Sequence, residues 1–356
     1  MIFAYIILFV MFLIDCKPQF LKTGINEKFL EKEQTLPIKG IFVLLVFFRH
    51  FRSYVDMDHG ILNHLFVMLD SRSSQLIVTM FFFYSGYGIF EQIKKNTNYI
   101  DKFITHRILP TYINFAVCVF IYFLICIIKM KGVFFSAQEI ILSFLGWEDY
   151  FGNSNWFMFV TFCVYILLYV SFFKIWRKDT LTFNIILFNF LSIGIVYILF
   201  IYKKHYWYNT LLCFNLGIWY SNYRQQLESF FRTSKNYDIV FCISLISFLF
   251  SFFLIETQSP LFIIKALLFT VVFVLLQMKF LFNPSKIYSK FGNHIFSIYM
   301  LQRIPFLLFT YLKLNNNIYL FFIGTLCSTI IIAKLYDYCS VVFHKCTVRI
   351  RTKLFE

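Results

Sequence analysis

Charge is scarce in this chain. Asp, Glu, Lys and Arg make up 14% of its 356 residues, against about 25% in an ordinary soluble domain, which excludes a chain folded wholly in water. No polar stretch is long enough to fold alone, so no soluble domain is appended. The nine cysteines contain no CxxC and no Cys/His ligand spacing, which argues against a zinc site and a disulfide framework. They lie mostly within apolar runs, as small buried hydrophobes do. The net charge of +15 invites a nucleic-acid reading, but no bases cluster with aromatics in a soluble module. No internal repeat is evident, and the first apolar stretch lacks a basic start and a small-residue cleavage site.

What is abundant is apolar surface: 60% of residues are hydrophobic and 52 are phenylalanine. Apolar runs recur from end to end. At about 20 residues per span they divide into about eleven segments, near 1–14, 38–57, 75–93, 108–128, 155–176, 183–202, 206–222, 238–256, 260–282, 292–312 and 317–340. The expected fold is an all-α, polytopic integral membrane helical bundle with about 10–11 transmembrane helices. Residues 1–36 form an N-terminal apolar segment and a basic loop, 37–340 the helical core, and 341–356 a basic tail.

Lysine and arginine counts alternate along the loops. Lys17, Lys22, Lys28 and Lys32 precede the second segment, and Lys94, Lys95, Lys102 and Arg107 follow the third. Later come Lys174, Arg177 and Lys178, then Arg224, Arg232 and Lys235, then Lys279, Lys286 and Lys290, and finally the basic tail. The intervening loops hold two bases or fewer. By the positive-inside rule the C-terminus is cytoplasmic and Lys39 lies at the cytoplasmic end of its helix. The acidic stretches 56–70 and 139–149 then fall outside; they are the expected non-helical elements, the second as a re-entrant segment.

Lys39, Arg49 and His50 sit on one apolar helix, where such residues are costly and mark function by default. Eleven residues are about three turns, so Lys39 and His50 share a face roughly 16 Å apart along the axis. His50 is suited to act as general base or nucleophile, with Arg49 or Lys39 stabilising negative charge. Asp56 or Asp58 is a candidate to orient it. Ser85, Gly86 and Gly88 allow close helix approach, or room for a ligand beside Ser85. Lys102, His106 and Arg107 are either interfacial anchors or contacts to a phosphate-bearing donor. Asn155 and Trp156 open a helix at the outer face, as a belt residue pair or as a wall for a sugar. Gln302 and Arg303 are polar in mid-segment and should face the bundle interior.

These pieces, in this order, resemble the membrane acyltransferase-3 family. Its R/K-x10-H spacing is matched by Lys39-x10-His50, and its FF-x-x-SG segment approximately by Phe82-Phe83-Tyr84-Ser85-Gly86-Tyr87. Its R-I-x-P step is matched by Arg107-Ile108-Leu109-Pro110, its WF helix start by Trp156-Phe157, and its S-x-Y helix by Ser297–Leu301. The resemblance covers about residues 37–340. It departs at Thr105, where the family has a first arginine, and at Gln302, where it often has a histidine, so Gln302 carries no catalytic assignment.

The resemblance implies an O-acyltransferase, usually an O-acetyltransferase. The acyl group would pass from a cytoplasmic acyl-CoA, such as acetyl-CoA, to a hydroxyl of a surface polysaccharide or lipid-linked sugar outside. Catalysis would fall to His50, Arg49 and Lys39, donor binding to Arg107, His106, Lys102 and Ser85, and acceptor binding to Asn155, Trp156 and Gln302. No tightly bound cofactor, metal or nucleic acid is expected; the partners are membrane lipids and the two substrates. The Phe, Ile, Lys and Asn richness suggests an AT-rich bacterial genome and hence the inner membrane. The alternative is a transporter or flippase for lipid-linked glycans, against which the lack of paired interrupted helices argues.

Overall fold

A computed structural model of the chain describes residues 2–55, 60–73, 75–96, 98–129, 134–173 and 181–355. It is a helical bundle. Among the described residues seven helices are long and apolar enough to cross a membrane, and three shorter apolar helices accompany them. The expected ten to eleven spans are therefore met by seven long helices and several shortened or broken ones.

Two helices form the centre: α2 (Lys32–Phe51) and α4 (Leu76–Lys95). The most apolar stretch of each is 67% buried, against 22% for α8 (Leu181–Tyr202) and 17% for α11 (Ser234–Leu254). The physical reason lies in the side chains. Helix α2 is apolar nearly all round, so it is stable only when surrounded. Helix α8 instead exposes Ile186, Phe190, Ile193 and Tyr197 at helical spacing, an apolar stripe suited to lipid.

Glycines set the closest contacts. A Cβ at Gly40 would lie 2.0 Å from the Tyr288 carbonyl oxygen of α13 (Tyr288–Asn293). Gly86 of α4 and Gly217 of α9 (Leu212–Asn222) each face the other helix's backbone, with a Cβ 2.1 Å from Phe214 O and 2.2 Å from Phe83 O. Small residues let these backbones touch, as membrane helix pairs require.

The loops sort onto two faces. On one, β1 (Gln19–Phe20) pairs antiparallel with β2 (Phe280–Leu281). There Gln34 bonds Phe282 in both directions at 2.9 Å, Arg224 reaches Glu27 O at 3.0 Å and Lys94 reaches Ser221 O at 2.6 Å. On the other, Thr257 bonds Ser71 O at 2.7 Å, Asn209 bonds Thr257 O at 3.1 Å and Lys203 meets Glu148 at 2.7 Å. These are the base-rich and base-poor loops of the sequence, gathered separately.

Three segments depart from expectation. Most of 56–70, read as an acidic loop, is helix α3 (Ile61–Ser73); its polarity includes a buried carboxylate, Asp70, that answers two arginines. The 139–149 stretch begins as α6 (Ala137–Phe144), started by a capping box of Ser136 and Glu139. It continues as irregular backbone in which Phe151, Asn153 and Asn155 are buried, tolerable near a membrane only against protein. The 292–312 span is interrupted into α14 (Ile295–Leu301) and α15 (Arg303–Tyr311). Pro305 sits in the first turn of α15, where its missing N–H has no intrahelical partner to lose. The final helix, α16 (Ile318–Phe355), runs on through the basic tail.

Candidate functional site

The last turn of α2 delivers Arg49 and His50 to a polar cavity of about 340 Å³ near the base-poor face. Gln75 and Val78 line it at the start of α4, Ser154 and Trp156 at the start of α7 (Trp156–Phe172), and Tyr299 and Arg303 at the α14–α15 break. The His205–Trp207 turn closes another side. His50 Nδ1 is buried with no hydrogen-bond partner among the described residues, and its ring centroid lies 6.3 Å from that of Tyr299. Arg49 and Arg52 both pair with Asp70, so the cation beside His50 in sequence is already bound to a carboxylate. Arg303 is less engaged: Nη1 donates to Gly152 O at a long 3.4 Å, and Nε is buried without a partner. At the rim, burial and the neighbouring Lys204 hold the His205 imidazole below its ordinary pKa.

A second cavity, of about 380 Å³, lies towards the base-rich face and is lined by Lys39, Tyr84, Ser85, Gln92, Tyr99 and Arg107. Lys39 Nζ sits 5.0 Å from the Tyr84 ring centroid, and Tyr84 donates its hydroxyl proton to Gln277 at 2.8 Å. Tyr165 of α7 ties two of the sequence candidates together: its hydroxyl is 3.2 Å from Ser85 Oγ and accepts from Arg107 Nη2 at 3.4 Å.

Between the two lies a largely apolar cavity of about 450 Å³. It shares Phe81, Ser85, Arg107 and Ile295 with the base-rich cavity, and Val78 and Tyr299 with the His50 cavity. The three therefore abut in series through the bundle. Asp337 of α16 lines the middle one, bonded by Ser297 at 2.9 Å and by His294 Nδ1.

The sequence candidates divide accordingly. His50, Arg49 and Trp156 come together at one end; Lys39, Arg107 and Ser85 come together at the other. His106 and Lys102 line neither. They are exposed on the π-helical turn Ile104–Ile108 and its approach, where His106 Nδ1 contacts Thr105 Oγ1 at 2.9 Å. Asn155 is buried and fastens the irregular segment, donating to Glu148 O at 2.7 Å and Ser143 O at 3.2 Å. Gln302 is fully buried and donates to Tyr299 O at 3.0 Å within its own turn. Asp56 and Asp58 lie outside the described residues.

Among the lining residues outside the sequence assignment are Arg303, Tyr299, Tyr165 and Asp337. Arg303 and Tyr299 fell within motifs already singled out, and Asp337 is an acid inside a long apolar helix, a signal in itself. Tyr165 is one tyrosine among 23, with nothing local to distinguish it. Among the described residues no group of three or more His, Cys, Asp or Glu is placed to hold a metal ion.

A family model for an acyltransferase domain matches residues 38–336. No curated protein and no solved structure gives a significant match. The matched stretch begins beside Lys39, ends beside Asp337, and contains the lining of the two outer cavities and most of that of the middle one. The chain belongs to the acyltransferase-3 family and is a multi-pass membrane acyltransferase.

Proposed function

We propose that the chain is an O-acyltransferase, acting as an O-acetyltransferase. An acetyl group passes from cytoplasmic acetyl-CoA to a hydroxyl of a surface polysaccharide or lipid-linked sugar on the far side of a bacterial inner membrane. The base-rich face is the cytoplasmic one by the positive-inside rule, which places the C-terminus there too. The observation that carries the reading is the unpartnered Nδ1 of His50, set in a polar cavity at one end of a series of cavities. The other end offers Lys39 and Arg107.

In this reading Lys39 and Arg107 hold the phosphates of the donor, and its extended thioester arm follows the apolar middle cavity towards His50. His50 Nδ1 takes the proton of the acceptor hydroxyl, and the oxygen attacks the thioester carbonyl carbon. The carbon–sulfur bond breaks and the departing thiolate receives the proton. A relay through acyl-His50 uses the same atoms in two steps.

The test is the O-acetyl content of the host's surface glycan with wild type and with His50→Ala at matched membrane expression. Loss of a general base costs about 10²- to 10⁴-fold in rate, so O-acetylation should disappear with the variant. Equal O-acetylation would remove His50 from the chemistry and this acceptor from the function.

A further inference from the structure

The charges around His50 do not cancel in the way an isolated cavity would require. Arg49 and Arg52 share Asp70. Arg303 has no carboxylate within ion-pair distance among the described residues, although Asp149 lines the same cavity; it donates one long bond, to Gly152 O at 3.4 Å. Its Nε is buried and unpaired. A half-buried guanidinium whose buried Nε–H has no acceptor is costly unless something answers it. The planar fork of arginine fits an oxyanion, carboxylate or phosphate, through two parallel hydrogen bonds. The same cavity is lined by the aromatic side chains of Trp156, Tyr206 and Trp207, amphipathic groups of the kind a sugar ring packs against.

We infer that this cavity takes an acidic acceptor: a sugar bearing a carboxylate or a phosphodiester, whose anion is bound by Arg303 while its hydroxyl is presented to His50. The inference rests on the acyl-transfer reading for the role of His50, but the anion site stands on its own geometry. The donor does not account for this cation, because its phosphates are answered by Lys39 and Arg107 at the far end of the cavity series. Arg303 is therefore a specificity-determining residue.

The test separates binding from transfer. The purified full-length chain in neutral detergent, without acyl donor, is titrated with three fluorescent oligosaccharides of equal length: an oligogalacturonate, a glycerol-phosphate-substituted glucan and a neutral maltooligosaccharide. At least one anionic probe should bind about tenfold or more tightly than the neutral one, the scale of a charge-assisted hydrogen bond. The two anionic arms distinguish carboxylate from phosphodiester. Arg303→Gln should abolish the preference, and Arg303→Lys should keep part of it because the charge survives without the fork. Equal binding of all three probes by wild type, or an undiminished preference in both variants, overturns the inference.

Acetyl-CoA is then added to membranes carrying the same proteins. With the preferred anionic acceptor, Arg303→Gln should raise KM more than it lowers kcat. An equal fall in kcat on neutral and anionic acceptors would assign Arg303 to the transition-state oxyanion instead and overturn the inference. Anion binding without any transfer would support the site and count against the acyl-transfer reading. Transfer to the neutral glycan with no anion preference would do the reverse.

Discussion

The close approach of α4 and α9 makes a quantitative demand. A Cβ added at Gly86 would stand 2.1 Å from Phe214 O and 2.9 Å from its carbonyl carbon. An ordinary C···O contact is about 3.3–3.6 Å, so α4 and α9 would have to part by about 1 Å. Both atoms are backbone, and neither can swing aside. A gap of that size forfeits roughly a quarter to a half of the dispersion attraction across the contact, and overpacking of this kind costs about 1–3 kcal/mol. Alanine's better helix propensity returns at most about 1 kcal/mol. Gly86→Ala should therefore destabilise the protein by up to about 2 kcal/mol net. Gly194, on the lipid-facing helix α8, has open space at its Cβ position, and Gly194→Ala should stabilise by about 0.5–1 kcal/mol. The assay is the apparent melting midpoint of the purified chain in detergent, followed by uptake of a thiol-reactive dye at the buried Cys118 and Cys213. The two variants should move the midpoint in opposite directions. If Gly86→Ala melts at or above the wild-type temperature, the helices do not touch as described.

Two further tests address the His50 end. Asp70→Asn keeps the shape but leaves Arg49 and Arg52 without their anion. Removing one partner of a buried pair costs about 3–5 kcal/mol; these arginine side chains are 33% and 24% exposed, so solvent screening reduces this to about 1–3 kcal/mol. The midpoint should fall, and adding Arg49→Gln should restore part of it. His205 is held neutral by burial and Lys204, below the ordinary value of 6.5. The unfolded chain therefore binds more protons at this site, and stability should decline as pH drops through about 6.5. This increment should be absent from a melting series of His205→Gln; an unchanged slope would remove His205 as its source.

Much of this architecture was legible because a membrane restricts the vocabulary. Apolar runs of spanning length locate α4, α5 (Leu109–Lys129), α8, α11 and α12 (Phe262–Lys279) within a few residues, while α2 begins and ends six residues before the expected 38–57. What a single sequence does not display is the setting of each polar residue. Asp70 reads as loop until Arg49 and Arg52 are placed beside it. Asn155 reads as a sugar contact, yet its amide is used up by the carbonyls of Ser143 and Glu148. His106 and Lys102 read as donor ligands beside Arg107, but on the turn they share only Arg107 reaches the cavity. For Asp70 and Asn155 the partners lie on other segments, and one sequence does not say which.

The spacing of Lys39 and His50 is the instructive case. Periodicity puts them on one face, which tempts a reading as one site. About 16 Å of helix axis instead gives them separate cavities, with Phe81, Val78 and Tyr299 among the residues between. A cation that stabilises charge at the reacting atoms must be within a few ångströms in a low-dielectric site, so Lys39 is out of range of chemistry at His50. It can act there only on the remote end of a long substrate. Arg303 is a cation on the His50 cavity that no carboxylate has claimed among the described residues. It follows Tyr299 by four residues, and Gln302 between α14 and α15 keeps helical backbone angles, so both side chains meet the cavity from one helical face. That face, supplied by a segment about 250 residues further along the chain, turns one histidine on a helix into a two-sided site.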